Sequence, residues 1–168
     1  MTTRPLILDT TFVLPLFGID VDLSKGYSPL LIHLWKKGIP GFRLILPTSC
    51  LVEVYYKLNK EFKRKQDKSV LDRYSVALPT VVTSKVVNLF DPISNHECAE
   101  AAAAIRNAGH PDVLDCFIAA TAITLKGSFL TEDGDLKALL KKESLLPSND
   151  MLGWKEIQKI IEQLPEGK

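Results

Sequence analysis

Short apolar runs alternate with longer helical patterns along this chain. Leu6-Ile7-Leu8, Arg43-Leu44-Ile45-Leu46, Val86-Val87-Asn88-Leu89-Phe90 and Ser128-Phe129-Leu130 are brief and carry few polar positions. Strands read this way when a sheet is covered on both faces. Ser144-Leu145-Leu146 is a weaker fifth candidate. The intervening stretches have helical spacing. Residues 28–37 make one, and Thr48 to about Lys65 a second, with Leu51, Tyr55, Leu58 and Phe62 on one stripe. A third covers Asp67 to about Ala77. Ser94-x-x-Glu97 has the form of a capping box opening a fourth, which Gly109 would stop. Asp112 can cap a fifth that runs to Lys126 and ends at Gly127, and a last one covers roughly Trp154 to Leu164. Strands alternating with helices predict an α/β fold, a three-layer α/β/α sandwich with a central parallel sheet of four to five strands.

Composition narrows this picture without redirecting it. The 168 residues suit a single domain over 1–168, and the linker-like stretch from Gly18 to Tyr27 is too short to divide it. A net charge of +1 by itself predicts neither a nucleic-acid binder nor an acidic tail, so electrostatic partners must be read from local clusters. Cys50, Cys98 and Cys116 are far apart, form no CxxC pair and lie in apolar helical contexts. They read as buried reduced thiols and favour a reducing compartment. The apolar stretch from Leu6 to Ile19 contains Asp9 and Pro15 and lacks a small-residue cleavage site, so it does not read as a signal peptide. No run reaches the ~18 apolar residues needed to span a bilayer. The expectation is a soluble cytoplasmic protein.

In a parallel sheet, sites form beyond the carboxyl ends of the strands. Acidic residues at strand ends and nearby helix starts are therefore the first candidates for chemistry. Asp9 follows the first apolar run, where it is either a cap for the next turn or a ligand. Glu53 lies early in the second helix, where Lys57 at i+4 offers an ordinary ion pair. Asp115 sits in the first turn of a nearly all-apolar helix, a position that the helix dipole also favours. Asp133 and Asp135 follow the last clear strand in a segment that also reads as a polar turn into a capped helix. Taken together, Asp9, Glu53, Asp115 and Asp133 come from four segments on one presumed edge. Carboxylates gathered in one cleft repel each other and call for cations. Hard oxygen ligands without histidine or cysteine partners suit Mg²⁺ or Mn²⁺, not zinc.

Leu8-Asp9-Thr10-Thr11, the Glu53 helix, Asp115-Cys116-Phe117-Ile118-Ala119-Ala120-Thr121-Ala122 and Thr131-Glu132-Asp133-Gly134-Asp135-Leu136 resemble, in order, the successive motifs of the PIN-domain family. The resemblance spans residues 6 to 136, and the Asp115 segment is its most specific part. It implies a metal-dependent ribonuclease, often the VapC-type toxin of a toxin–antitoxin pair. It also implies an antitoxin partner and a homodimer, with the helices around residues 28–37 and 67–77 as candidate interface. By the same carry-over Asp9, Glu53, Asp115 and Asp133 form the catalytic quartet, and Asp9, Asp115, Asp133 and Asp135 hold Mg²⁺ or Mn²⁺. Thr131 and Thr10 would steady a carboxylate or water, and Asp112 reads first as a helix cap. The chain is longer than a minimal toxin of this type, around residues 18 to 40 and at the C-terminus.

Lys57, Lys60, Lys63, Arg64, Lys65 and Lys68 form a basic cluster that begins one turn beyond Glu53. It can hold an RNA backbone, or it is a solvated helix end. His33, His96 and His110 are scattered, and none has a metal-ligand partner at useful spacing, so no histidine is assigned to the chemistry. Two other functions fit part of the pattern. One is a phosphohydrolase of the HAD type, whose second acid is replaced here by Thr11. The other is a degenerate module of the same fold that binds RNA or scaffolds an assembly without cutting.

Overall fold

The computed structural model describes residues 3–21, 23 and 27–163. Five parallel strands make one sheet in the order β3-β2-β1-β4-β5. They are β1 (Arg4–Leu8), β2 (Phe42–Pro47), β3 (Val87–Phe90), β4 (Ser128–Leu130) and β5 (Met151–Leu152). The helices are α1 (Tyr27–Lys37), α2 (Thr48–Lys65), α3 (Ser69–Val82), α4 (His96–Asn107), α5 (Val113–Thr124), α6 (Gly134–Lys142) and α7 (Trp154–Glu162). They provide the two outer layers, as the continuous apolar strands require: Leu6, Ile7, Leu8, Leu44, Leu46, Phe129 and Leu130 are all essentially inaccessible to solvent.

The chain leaves β1 for β2 and β3 on one side, then returns to lay β4 on the other side of β1. The carboxyl ends of β1 and β4 therefore flank the point where the strand order reverses, which is where open parallel sheets form their crevice. Two features hold this junction close. Leu6, Ile7 and Leu8 pair in register with Ser128, Phe129 and Leu130. Gly127, which enters β4, faces Ile7 and Pro5 so closely that an added Cβ would lie 2.6 Å from Ile7 Cδ1 and 2.8 Å from the Pro5 carbonyl oxygen. The helix expected to run to Lys126 ends at Thr124, with Lys126 in the left-handed position, so Gly127 is required by strand packing and not as the stop itself.

Several boundaries differ from the sequence reading, each for a local reason. The fifth strand is Met151–Leu152, not 144–146. Residues 144–146 close the end of α6 instead, with Ser144 left-handed and the Leu145 amide bonded to the Leu140 carbonyl. Helix α4 is capped by Asn95, whose side chain accepts from the Cys98 amide at 2.9 Å, so Ser94 and Glu97 form no capping box. Helix α3 continues through Pro79 to Val82, although proline forfeits its own amide bond there. The stretch from Gly18 to Tyr27 and the expected helix end at Leu164 lie partly outside the described residues. The three cysteines are buried thiols, Trp35 and Trp154 belong to the core, and no described helix is long and apolar enough to cross a membrane.

Substituting Gly127→Ala should destabilise the fold by about 1–3 kcal/mol, the usual range for overpacking a core. Denaturant unfolding at neutral pH measures it. A midpoint equal to wild type would contradict the close β1–β4 junction.

Candidate functional site

All five strands present their carboxyl ends to the same edge, and four different elements carry acids to it. Asp9 directly follows β1, and its amide donates to the Leu130 carbonyl at 3.0 Å, tying the ends of β1 and β4 together. Its Oδ1 accepts from the Thr10 amide at 2.6 Å and its Oδ2 from the Thr131 hydroxyl at 2.7 Å. Asp9 is therefore the cap of a 3-10 turn over Thr10–Phe12, the first of the two readings that the sequence offered, and it sits at the acidic edge. The Thr131 hydroxyl accepts in turn from the Asp133 amide at 3.1 Å. One fully buried threonine thus links the acid after β1 to the acid after β4.

The other acids are set by helix starts. Asp133 caps α6 through the Leu136 amide at 2.8 Å. Asp112 caps α5, accepting from the amides of Leu114 and Asp115 at 2.8 and 3.3 Å, and stays exposed. That cap fixes Asp115 in the first turn of a helix whose next turns, from Cys116 and Ile118 to Ala122, are buried. The Asp115 side chain leaves α5 toward His110 and Asp133. Glu53 projects from the second turn of α2 and pairs with Lys57 at 2.9 Å, so the ordinary i,i+4 ion pair does form. Its second oxygen, Oε2, is nevertheless buried with no hydrogen-bond partner, as are the hydroxyls of Thr10 and Ser49. Asp135 is exposed on the first turn of α6, and like Asp9 and Glu53 it falls outside the close group of possible ligand atoms among the described residues.

His110 was not legible as a member of this group. Its Nε2 lies 3.4 Å from Asp115 Oδ2, and one donor atom from each of His110, Asp115 and Asp133 falls within 4.8 Å of the other two. The ring is only 6% exposed. The α4–α5 connection brings it there. Gly109 turns the chain at φ +111°, a conformation that side chains rarely adopt, and Arg106 donates to the His110 carbonyl at 2.6 Å. Metal-ligand spacing in sequence gave no hint of this pairing. The signal available was the short loop between two predicted helices, which must put residue 110 beside the first turn of α5.

The electrostatics match the crowding. Burial, opposed by the hydrogen bond from Thr131 and reinforced by the charges of Asp115 and Glu53, pushes the Asp9 carboxyl up to about 7. Burial and the charges of Asp112 and Glu53, opposed by His110, push Asp115 up to about 6. Burial works against the Lys57 ammonium, but its hydrogen bond and charge pairing with Glu53, helped by Asp115 and Asp9, raise its pKa above the usual lysine value. Of the basic cluster, Lys57 and Lys65 are engaged with Glu53 and Glu61. Lys60, Lys63 and Arg64 are exposed and make no ion pair among the described residues.

Because Asp9 and Asp115 titrate higher folded than unfolded, the folded chain binds protons more tightly between about pH 4 and 7, and stability must fall as pH rises through that window. Metal-free protein kept in EDTA should therefore unfold at a higher urea midpoint at pH 5 than at pH 8, and Asp115→Asn should narrow the gap. A higher midpoint at pH 8 would contradict the crowded-acid geometry.

No curated protein matches this chain. Among solved structures, VapBC2 from Rickettsia felis, crystallised with a DNA fragment from its promoter, superposes with a TM-score of 0.57 over 89% of this chain and 98% of that one, at 15% sequence identity. At that identity the likeness is one of fold. The sequence profile of the PIN domain matches residues 6–142, from β1 through the end of α6. That stretch contains every acid at the sheet edge and His110 as well. The chain belongs to the PIN domain family.

Proposed function

We propose that this chain is a divalent-metal-dependent endoribonuclease that hydrolyses RNA phosphodiester bonds at the acidic edge. The observation that carries the reading is the convergence of Asp9, Glu53, Asp115 and Asp133 from four separate segments. Asp9 feels the charges of Asp115 and Glu53, Asp115 lies beside Asp133, and Thr131 joins Asp133 back to Asp9. PIN domains are generally nucleases, which supports hydrolysis of nucleic acid.

The donor set fits a hard divalent ion. Several carboxylates share one partly dry space, and Glu53 Oε2 is a buried acceptor lacking a donor, an arrangement that a cation would relieve. Asp9, Asp115 and Asp133 would hold Mg²⁺ or Mn²⁺, with Glu53 beside them and Asp135 in an auxiliary place. A bound ion would lower the pKa of a water and neutralise charge on the phosphodiester. The chain's own residues do the positioning. Thr10 and Thr131 lock the Asp9 carboxylate from two sides, and the caps made by Asp112 and Asp133 fix the helix starts that present Asp115 and Asp133. Lys57 neutralises Glu53 at the rim. Lys60, Lys63 and Arg64, one and two turns farther along α2, would hold the RNA backbone.

Toxin action, with an antitoxin partner and a homodimer, extends the same proposal. Ile32 on α1 and Val76 and Val82 on α3 are exposed apolar residues that would serve such contacts.

Purified protein should cut RNA with Mg²⁺ or Mn²⁺ and stop in EDTA. Asp9→Asn or Asp115→Asn should each lower the rate by roughly 100-fold or more, the scale of losing several kcal/mol of transition-state stabilisation. Full activity in either variant, with the fold intact by circular dichroism, would sink the assignment. Separately, replacing Lys60, Lys63 and Arg64 with Gln should weaken RNA binding and flatten its dependence on salt. An unchanged slope would make α2's basic end a solvated surface.

A further inference from the structure

The acidic edge contains one group that hard-oxygen chemistry does not explain. His110 is buried, its Nε2 faces Asp115, and a ring nitrogen lies within 4.8 Å of both Asp115 and Asp133, the acids in the first turn of α5 and at the cap of α6. Its contact with Asp115 Oδ2, at 3.4 Å, is longer than the roughly 2.7–3.2 Å of a good N–H···O hydrogen bond. It is an ordinary separation for two atoms bound to one ion. Ligands about 2.1 Å from an octahedral ion lie about 3.0 Å apart when adjacent and about 4.2 Å when opposite. The three donor atoms, all within 4.8 Å of one another, need only small side-chain adjustments to share one ion. The backbone commits the ring to this place through Gly109 and the Arg106 bond to the His110 carbonyl.

We infer that His110 is a direct metal ligand beside Asp115 and Asp133, and that its imidazole gives the site a preference for transition-metal ions such as Mn²⁺ and Co²⁺ over Mg²⁺. This rests on the metal-dependent reading above and deepens it by naming the ion class. Imidazole nitrogen is a borderline ligand that binds first-row transition ions well and Mg²⁺ poorly, whereas carboxylates serve both. One nitrogen among carboxylates therefore raises affinity selectively. A merely positioning histidine, holding Asp115 by a hydrogen bond, would affect all ions alike.

His110→Gln separates the two roles, because the glutamine amide can still donate to Asp115 but is a poor metal ligand. Isothermal titration of wild type and variant with Mg²⁺, Mn²⁺ and Co²⁺ reads the result. The expected outcome is a loss of about tenfold or more for Co²⁺, a smaller loss for Mn²⁺ and little change for Mg²⁺, with a changed visible absorption spectrum of bound Co²⁺. Equal affinities in the two proteins, or a uniform loss for all three ions, would overturn the inference. Should the variant fail to fold, wild-type protein suffices. With only three histidines in the chain, ¹⁵N imidazole resonances followed during Zn²⁺ titration should show the His110 Nε2 signal moving to a ligated position, and an unmoved signal overturns the inference. None of these readouts uses RNA, so their failure leaves the nuclease proposal standing, and an inactive nuclease leaves them interpretable.

Discussion

Burial of carboxylates in a partly dry cleft, reinforced by their mutual repulsion, is the constraint around which this end of the sheet is built. Each acid alone has an ordinary structural duty, as Asp9 and Asp133 do in capping turns or helices and Glu53 does in pairing with Lys57. Those duties explain why the residues are tolerated, and they do not explain why Asp9 and Asp115 are driven toward their neutral forms at near-neutral pH. A fold that keeps such groups together gives up stability in its metal-free state. The arrangement is costly in isolation, and a bound cation would offset that cost.

The sheet makes the gathering possible. With the strand order reversing at β1, the ends of β1 and β4 lie side by side, and the close approach at Gly127 keeps them there. Thr131 then converts backbone proximity into a fixed relation between two carboxyl-bearing loops, donating to Asp9 while accepting from the Asp133 amide. The buried helix α5 supplies a third acid whose direction is set by the Asp112 cap and by apolar packing on all later turns. The same packing that stabilises the core aims the acids outward.

Much of this was legible in the sequence because it depends on local pattern. Largely apolar runs marked four of the five strands, and the position of each acid relative to a strand end or a helix cap marked the edge. Strand β5 was missed because two residues, Met151 and Leu152, are too short a run to carry a pattern. His110 was missed because its relation to Asp115 and Asp133 exists only through the α4–α5 connection and the sheet, not through spacing along the chain. The basic cluster was readable as charge, and i,i+4 spacing offered the Lys57–Glu53 pair that forms, but the matching Lys65–Glu61 pair was not singled out.

The central claim is that the acids at this edge bind a divalent ion in their ionised forms. It is tested most directly by thermal melting with and without Mn²⁺ across pH. Since the ion should bind the folded edge far better than the unfolded chain, a hundredfold excess over Kd should add about 2.7 kcal/mol of stability at pH 7.5. Protonation of Asp9 and Asp115 competes with the ion, so the gain should fade toward pH 5 and shrink in Asp9→Asn. A gain that is absent at pH 7.5, or the same at both pH values and in the variant, would contradict the account.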